Sequence, residues 1–277
     1  MNSDHREKMD AMTRRKTHSL FICILLLSLV LYSYTQGNTA TGQKSFLWKV
    51  QSKTATVYLL GSVHAFKKEL YPLPVKIEEA FRRSDALVVE ANIDEIDLEK
   101  MMAMFEGAFY PENETLEKHL SKDIFALAET RLAQFGIPIQ LFQRSKPWIV
   151  ALMIVSLEIQ KAGLDPEYGI DKHFLKEARD KKRILELESI GYQMSILSSF
   201  SDAEQESFLL YTLKDVDIME REMDVIIKAW SSGDTKTMEA MVTKGLKEDP
   251  RVLPIYEKLF YERNNHMASK VEEFLKA

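Results

Sequence analysis

The feature that most constrains the fold is a strand, a helix and a second strand in quick succession. Residues 55–60 are β-branched, aromatic or apolar, and Gly61 ends the run. Pro72 and Pro74 precede a helical pattern over residues 75–83. Residues 86–89 then form a short continuous apolar run, typical of a strand buried on both faces. This order predicts a βαβ unit whose two strands are parallel neighbours with a right-handed crossover.

The rest of the chain adds two strands and several helices. We expect strands over residues 46–50 and 183–188, and helices over residues 115–135, 147–159, 169–180 and most of 202–276. Residues 147–159 are almost entirely apolar but too few to span a bilayer, so they predict a buried core helix. The fold class is therefore α/β, with a mixed, largely parallel sheet core, a helical insertion and a helical C-terminal region.

The N-terminal residues 1–41 have the pattern of a targeting segment and linker. Arg14, Arg15 and Lys16 precede an apolar run over residues 20–31, as in a signal peptide, and an uncleaved signal anchor is the alternative. If the segment is uncleaved, residues 20–31 contact the membrane. Residues 42–277 would then form the α/β domain, exported to the periplasm or anchored at the outer face of the inner membrane. The single cysteine, Cys23, lies in the apolar run, so this domain has no disulfide.

The charge of the chain argues against a nucleic-acid partner. The formal net charge is -5, and beyond the N-terminus no run of Lys and Arg offers a basic surface for phosphates.

Two chemically useful side chains follow the strands of the βαβ unit. His64 comes just after Gly61, and Glu90 comes directly after the second strand. Ligands collect beyond the carboxyl ends of parallel strands, so we expect His64 and Glu90 to lie close together. Glu186 and Glu188 end the third strand and are candidates to join them.

One imidazole and one or two carboxylates are a ligand set suited to manganese, cobalt or zinc. A metal held in this way lowers the pKa of bound water and polarises a carbonyl. The alternative is structural: His64 as a hydrogen-bonded group at a strand end, and Glu90 as a solvated side chain. The residues alone leave both interpretations open.

Short sequence blocks from residue 46 to the end resemble the TraB/PrgY/GumN family, which is related to the Tiki proteins. The blocks occur in family order: Gly61-Ser62-Val63-His64, Leu87-Val88-Val89-Glu90, Tyr168-Gly169-Ile170-Asp171, Leu187-Glu188-Ser189 with Gln193, Trp230-Ser231-Ser232-Gly233-Asp234, Tyr256-Glu257-Lys258-Leu259 and Glu262-Arg263-Asn264. The resemblance implies a metal-dependent hydrolase of the cell envelope, peptidase-like in the Tiki branch, with His64 and Glu90 at the metal. Other branches are linked to pheromone shut-off or polysaccharide production.

The family usually has a second Gly-x-x-His motif, and this sequence contains none after Arg263. His119, His173 and His266 do not fit the motif and are expected to be ordinary histidines. The remaining set of His64, Glu90 and Glu188 is rich in oxygen, which favours manganese or cobalt over zinc. We therefore expect weak metal binding and little or no peptidase activity.

Glu188 is the candidate third metal ligand or general base, and Arg263 the candidate catalytic group that orients substrate or steadies Glu90. A salt bridge from Arg263 to Glu257 or Glu262 on its own helix is the alternative. Asp171 is either a helix cap or a site residue. The substrate is expected to be a peptide or an envelope polymer. The rival function is a non-catalytic envelope protein that sequesters a peptide or takes part in polysaccharide production, or an inactive truncated member.

Overall fold

The computed structural model describes residues 45–105, 107–216, 218–249 and 252–276. The predicted targeting segment and Cys23 lie outside these ranges. Among the residues described, we find no helix with the length and apolar character needed to cross a bilayer.

The described chain begins with an antiparallel hairpin. Strand β1, Leu47–Gln51, pairs with β2, Thr56–Leu60, in a register that sets Trp48 opposite Leu59. The turn is closed by a hydrogen bond from the Ser52 N–H to the carbonyl oxygen of residue 55. Alternate residues of β2 then face opposite sides of the hairpin.

Helix α1, Val75–Arg83, and strand β3, Ala86–Val89, have the bounds that the sequence predicts. The partner of β3 differs from the prediction. It pairs in parallel with β4, Arg183–Glu186, while β2 pairs with β1, so β2 and β3 are not hydrogen-bonded neighbours. The predicted largely parallel sheet core is therefore wrong: the described strands form two separate two-stranded sheets, one antiparallel and one parallel.

The mixed helix and strand class is correct, and helices fill both the connection between β3 and β4 and the C-terminal region. After α1, the described helices are α2 Leu98–Phe105, α3 Lys122–Ala133, α4 Pro147–Lys161, α5 Ile170–Ala178, α6 Ile190–Ser198, α7 Asp202–Asp215, α8 Met219–Ser232, α9 Thr235–Val242, α10 Lys244–Glu248, α11 Leu253–Tyr256 and α12 Arg263–Lys276. A π-helical stretch, Glu257–Glu262, joins α11 to α12.

One predicted helix is divided. Residues 115–135 form a 3₁₀ turn, Leu116–His119, and then α3, with an extended backbone at Leu120 and Ser121 between them. Ser121 is the N-cap of α3, a position that serine favours. The apolar periodicity therefore predicts the buried side of this segment but not the break.

The largest apolar core forms around α4, as its composition predicts. Trp148 and Ile154 of this helix are fully buried, and Pro147 occupies its first turn, where a missing N–H costs nothing. Helix α4 packs against α7, which buries Phe208 and Leu209. Burial of a side chain of this size stabilises the fold by roughly 1.5–3 kcal/mol.

A second, smaller core ties α12 to the sheets. Met267 and Val271 of α12 pack with Leu187 and against Val57 and Val88 of β2 and β3. Helix α12 thus covers one face of both sheets and carries Arg263 at its start.

Candidate functional site

His64 follows β2 on a turn that is held by the surrounding core. The Gly61 N–H donates to the carbonyl of Phe46 at 2.9 Å, and the Gly61 carbonyl accepts from the indole N–H of buried Trp230 at 2.8 Å. A Cβ at position 61 would lie 3.3 Å from the Phe46 Cβ, so glycine suits this close approach. These contacts fix the direction in which the chain leaves the strand.

Gly169 lets the first turn of α5 pack directly against His64. A Cβ at position 169 would overlap the carbonyl oxygen of His64, which is backbone and cannot rotate away. The next residue, Ile170, donates its N–H to the Val63 carbonyl at 2.9 Å. Asp171, one residue further along, is therefore placed beside the imidazole.

Asp171 joins Ser62 and His64 into one polar group. Its Oδ2 accepts the hydroxyl of Ser62 and lies 3.0 Å from Nδ1 of His64. Burial raises the pKa of Asp171, but the hydrogen bonds and charge of His64, together with Ser62, hold it below its usual value. Because the Ser62 hydroxyl donates to the carboxylate, the group is not arranged as a Ser-His-Asp nucleophile.

The pKa of His64 is raised to about 9. Burial lowers it, while the hydrogen bond and charge of Asp171 and the charge of Glu90 raise it more, and Arg263 lowers it slightly. The His64 side chain is 39% exposed, so water moderates the effect of burial and the upward direction stands. Near neutral pH, His64 is therefore an imidazolium.

Glu90 and Glu188 meet where β3 and β4 end. The Glu188 N–H donates to the Glu90 carbonyl at 2.8 Å, which holds the two chain segments together just beyond the strands. Nη2 of Arg263 lies 3.0 Å from Oε2 of Glu90 and 2.8 Å from Oε2 of Glu188, and its Nε lies 3.0 Å from the same Glu188 oxygen. The three side chains are 14%, 6% and 0% exposed for Arg263, Glu90 and Glu188. They form two buried ion pairs that share Arg263, with charge-assisted hydrogen bonds.

Arg263 is the first residue after the π-helical stretch, a local widening often found at functional sites. Burial alone would lower the pKa of Arg263. The hydrogen bonds and charges of Glu188 and Glu90 outweigh this effect, so the pKa lies above its usual value. Its guanidinium is directed to the strand ends of the sheet rather than only along its own helix.

The two carboxylate oxygens of Glu188 differ: one is hydrogen-bonded, and the other has no hydrogen-bond partner among the described residues. Its Oε2 accepts from Arg263 and from the Gln193 amide at 3.2 Å. Its Oε1 is buried, and within the described ranges no group hydrogen-bonds to it. A buried carboxylate oxygen left in this state costs roughly 1–3 kcal/mol or more, so this atom is a place where a proton, a cation or a substrate group would be stabilised.

The charges of the cluster fit a divalent cation. Asp171, Glu90 and Glu188 contribute three negative charges, and Arg263 contributes one positive charge. With His64 protonated, as it is near neutral pH, the sum is -3 + 2 = -1, and it becomes -2 when His64 releases its proton. The donor types also fit, because a neutral imidazole held by a carboxylate at Nδ1 presents Nε2 as a ligand.

The spatial arrangement of these donor atoms fits a divalent cation less well than their charges do. Across the described ranges, no three His, Cys, Asp or Glu side chains are grouped so that they could hold one ion. Arg263 instead binds both glutamates, and His64 would release its proton to act as a ligand. Any metal affinity of this set must therefore be low.

The other predicted candidates lie elsewhere. Glu186 accepts the backbone N–H of Asn92 through its side chain. His119 lies between Glu114 and Asp202, at 3.2 Å from each, and His173 lies 3.4 Å from Glu78. His266 is exposed and its ring approaches that of Tyr192.

Sequence reasoning gave Asp171 as a cap or a site residue and did not consider Ser62 as a partner. The signal that could have found them is the Tyr-Gly-Ile-Asp block. A glycine directly before a helix permits close approach of its first turn, where Asp171 stands. Gln193 is the other residue added by the structure.

A cleft of about 720 Å³ reaches Ser62 and Asp171 of this cluster, whereas His64, Glu90, Glu188 and Arg263 do not line it. It runs between β2 and β3, and Ser62 and Asp171 line one end of it. This volume is typical of a ligand site.

Comparison with known proteins decides the family. A model of the TraB/PrgY/gumN family matches residues 46–277. The chain belongs to the TraB/PrgY/gumN family. The uncharacterized protein YbaP of Escherichia coli (strain K12) is 30% identical over 146 residues, 52% of this chain and 53% of that protein. YbaP of Shigella flexneri matches equally.

An uncharacterized protein of Treponema pallidum (strain Nichols) is 23% identical over 249 residues, 81% of this chain and 73% of that protein. The match spans about half the length of the YbaP relatives. No solved structure matches the chain.

Proposed function

We propose that this family member is a slow, metal-dependent hydrolase of peptides, with its site at His64, Glu90 and Glu188. The observation that supports it most is the buried cluster at the strand ends, where Asp171 holds His64 and an oxygen of Glu188 has no described partner. The cleft that Ser62 and Asp171 line is large enough for a peptide segment.

The described side chains are not grouped around one ion, so a cation would require His64 and Glu90 to draw together, with Glu188 as the third ligand or as the general base. Manganese or cobalt would be held before zinc, because the donor set is rich in carboxylates. A divalent cation at this position would supply Lewis acidity for attack on a carbonyl. Asp171 fixes the orientation of the imidazole, as carboxylates do for ligating histidines.

The remaining chemistry is assigned to groups of the chain. Oε1 of Glu188 accepts the proton of the attacking water as its oxygen bonds to the carbonyl carbon. The amide C–N bond then breaks, and that proton passes to the leaving nitrogen. Arg263 holds Oε2 of Glu188, so it orients this carboxylate and offers positive charge near the developing oxyanion.

The test is cleavage of a fluorogenic peptide library by the full chain, with and without manganese or cobalt. We expect slow cleavage that depends on the metal and falls at least about 100-fold in Glu188→Gln, the size of effect general bases commonly have. His266→Ala should keep the wild-type rate, because His266 is exposed and away from the cluster. Equal cleavage by wild type and Glu188→Gln would refute the role of Glu188.

A binding protein without catalysis is the second candidate. The observation in its favour is Arg263, which binds both glutamates and competes with a cation for them. Peptide binding with no cleavage above the Glu188→Gln background, under every metal tested, would establish this function instead.

We also propose export to the periplasm or to the outer face of the inner membrane, supported by the basic and apolar N-terminal pattern. A periplasm-active reporter fused after Gln43 should be active, and the same fusion lacking residues 1–34 should not. Equal activity of the two fusions would exclude export by this segment.

A further inference from the structure

Helix α2 presents a row of large apolar side chains to solvent. Leu98, Met101, Met102 and Phe105 have the spacing that places them on one side of a helix, and such a stripe ordinarily faces a protein core. Phe109 extends the row, because its ring stacks on that of Phe105 with centroids 6.3 Å apart. Each of these five residues is between 45% and 71% exposed. We call this surface the α2 patch.

The α2 patch is large for the surface of a single chain. A residue of this size presents about 200 Å² when fully exposed, so the five together expose on the order of 600 Å². The largest apolar patch on a typical monomer is roughly 300–600 Å² and is often functional. Methionine side chains are flexible and polarizable, so Met101 and Met102 can adapt to ligands of different shape. The size and composition of the α2 patch therefore indicate a binding surface.

The α2 patch begins close to the candidate site. Leu98 follows Glu90 by eight residues, and a segment of that length spans no more than about 28 Å when fully extended. Helix α2 packs against α6, which begins two residues after Glu188. The cleft between β2 and β3 is lined by none of the patch residues, so the α2 patch is a separate surface. A peptide of about eight residues is long enough to contact both the α2 patch and the strand ends.

The chain around the α2 patch is acidic. Residues 93–112 contain six acidic residues and one basic residue. Asp94 is paired with cations of α5, whereas exposed carboxylates follow it at the start of α2: Glu95, Asp97 and Glu99. Lys146 approaches the opposite end of α2, at Gly107. A ligand that carries positive charge is therefore complementary to the end of the α2 patch that follows Glu90.

This charge favours a cationic peptide over two other occupants of an exposed apolar surface. An anionic bilayer would repel the carboxylates, and helices that lie on membranes are rich in Lys and Arg on their polar face. A second copy, related by a twofold axis, would bring two acidic segments into one interface. A peptide with basic residues beside apolar ones instead covers the apolar side chains and neutralises the carboxylates.

We propose that the α2 patch binds cationic peptides with large apolar residues and holds them for the site at the strand ends. Apolar side chains of the peptide pack on Leu98, Met102 and Phe105, and its Lys or Arg side chains meet Glu95 and Glu99. The inference names the substrate class of the proposed hydrolase and in that respect rests on it, although binding to the α2 patch needs no metal.

The probe is the fluorescein-labelled peptide Lys-Leu-Phe-Lys-Lys-Leu-Phe-Lys-amide, added to the full chain without metal and followed by fluorescence anisotropy. It should bind at least about tenfold more tightly than the same peptide with Glu in place of Lys, because the acidic residues repel the anionic form. The same peptide with Ser in place of Leu and Phe should also bind at least about tenfold more weakly, since it lacks the apolar side chains. Equal binding of the three peptides would overturn the proposal.

A matched pair of variants locates the binding. Leu98 and Val75 are 71% and 70% exposed, and only Leu98 belongs to the α2 patch. Leu98→Gln should weaken binding of the cationic peptide about fivefold or more, whereas Val75→Gln should leave it unchanged. Because both side chains are exposed, both variants should fold, which circular dichroism checks. Equal binding by the two variants would refute the assignment to α2.

Oxidation of methionines by hydrogen peroxide, read by mass spectrometry, reports on the surface itself. In the free chain, Met101 and Met102 should oxidise at least about tenfold faster than Met238, which is buried. The cationic peptide should slow oxidation of both about fivefold or more and leave Met153, which is exposed on α4, unchanged. Slow oxidation of Met101 and Met102 in the free chain would overturn the proposal, because another segment of the chain or a second copy would then cover the α2 patch.

The outcomes separate this inference from the proposed function. Protection of Met101 and Met102 by the cationic peptide, with no hydrolysis under any metal, supports the α2 patch and refutes the hydrolase. Cleavage of cationic and anionic peptides with equal KM, without that protection, refutes the α2 patch alone. If both proposals hold, Leu98→Gln raises KM for the cationic peptide rather than lowering kcat, since Leu98 does not touch the reacting atoms. Protection by anionic vesicles but not by the peptide would overturn the proposal in favour of a membrane surface.

Discussion

Replacement of Arg263 by alanine is the sharpest test of the buried cluster. The guanidinium lies within 3.0 Å of Oε2 of both Glu90 and Glu188, and the two glutamate side chains are 6% and 0% exposed. Its removal leaves two carboxylates together, away from water. Loss of one partner of a buried ion pair costs about 3–5 kcal/mol, so Arg263→Ala should lose stability in that range.

Urea unfolding of the full chain, followed by circular dichroism, measures this loss as a lower midpoint with an unchanged slope. Arg263→Lys should lose less, because it keeps the charge but not the forked geometry. Arg82→Ala is the matched control: Arg82 is 68% exposed in its pair with Glu79, so its loss should stay within about 0.5 kcal/mol. A loss below about 1 kcal/mol for Arg263→Ala would show that the cluster is not buried as described.

Two further substitutions test the supports of the site and the core. Gly169→Ala should destabilise the fold by roughly 1–3 kcal/mol, because the new Cβ overlaps the His64 carbonyl, and thermal unfolding measures this. A wild-type melting temperature would refute the close approach. Burial raises the pKa of Glu204, but hydrogen bonds from Lys258 and Ser201 lower it more, so the folded value lies below 4.5. Its stabilisation is therefore full above pH 4.5 and is lost as pH falls through the folded value. Glu204→Gln should cost roughly 1 kcal/mol at pH 7 and less near pH 3 by urea unfolding, and an equal cost at both pH values would contradict the assignment.

Local patterns predict several elements because the information lies within each segment. Gly233 ends α8 with φ 65, and Asp234 caps α9 through the Thr237 N–H, as the Gly-Asp pair indicates. The apolar run that becomes α4 is likewise identified by composition and length.

The pairing of strands could not be predicted in the same way. Strand β3 is apolar throughout, which is compatible with any parallel neighbour. Its actual partner, β4, follows the long helical insertion, and β2 is already paired with β1 on one edge. The order of elements alone therefore suggested a β2–β3 pairing that the structure does not contain.

The candidate site likewise has a part that the sequence predicts and a part that depends on tertiary packing. The strand ends predict that His64 and Glu90 lie near each other, and the charge of Glu90 contributes to the raised pKa of His64. The contacts of Asp171 and Arg263 depend on how α5 and α12 pack, through Gly169 and through the widened turn before Arg263. Such packing brings together residues that are far apart in the sequence, so the sequence indicates it only through short motifs.

Calorimetric titration of the full chain with manganese tests the central claim most directly. The proposed ligand set predicts weak binding at one site, which His64→Ala abolishes and His266→Ala leaves unchanged. Tight binding that survives His64→Ala would contradict the account, since the metal would then be held by ligands other than those at the strand ends.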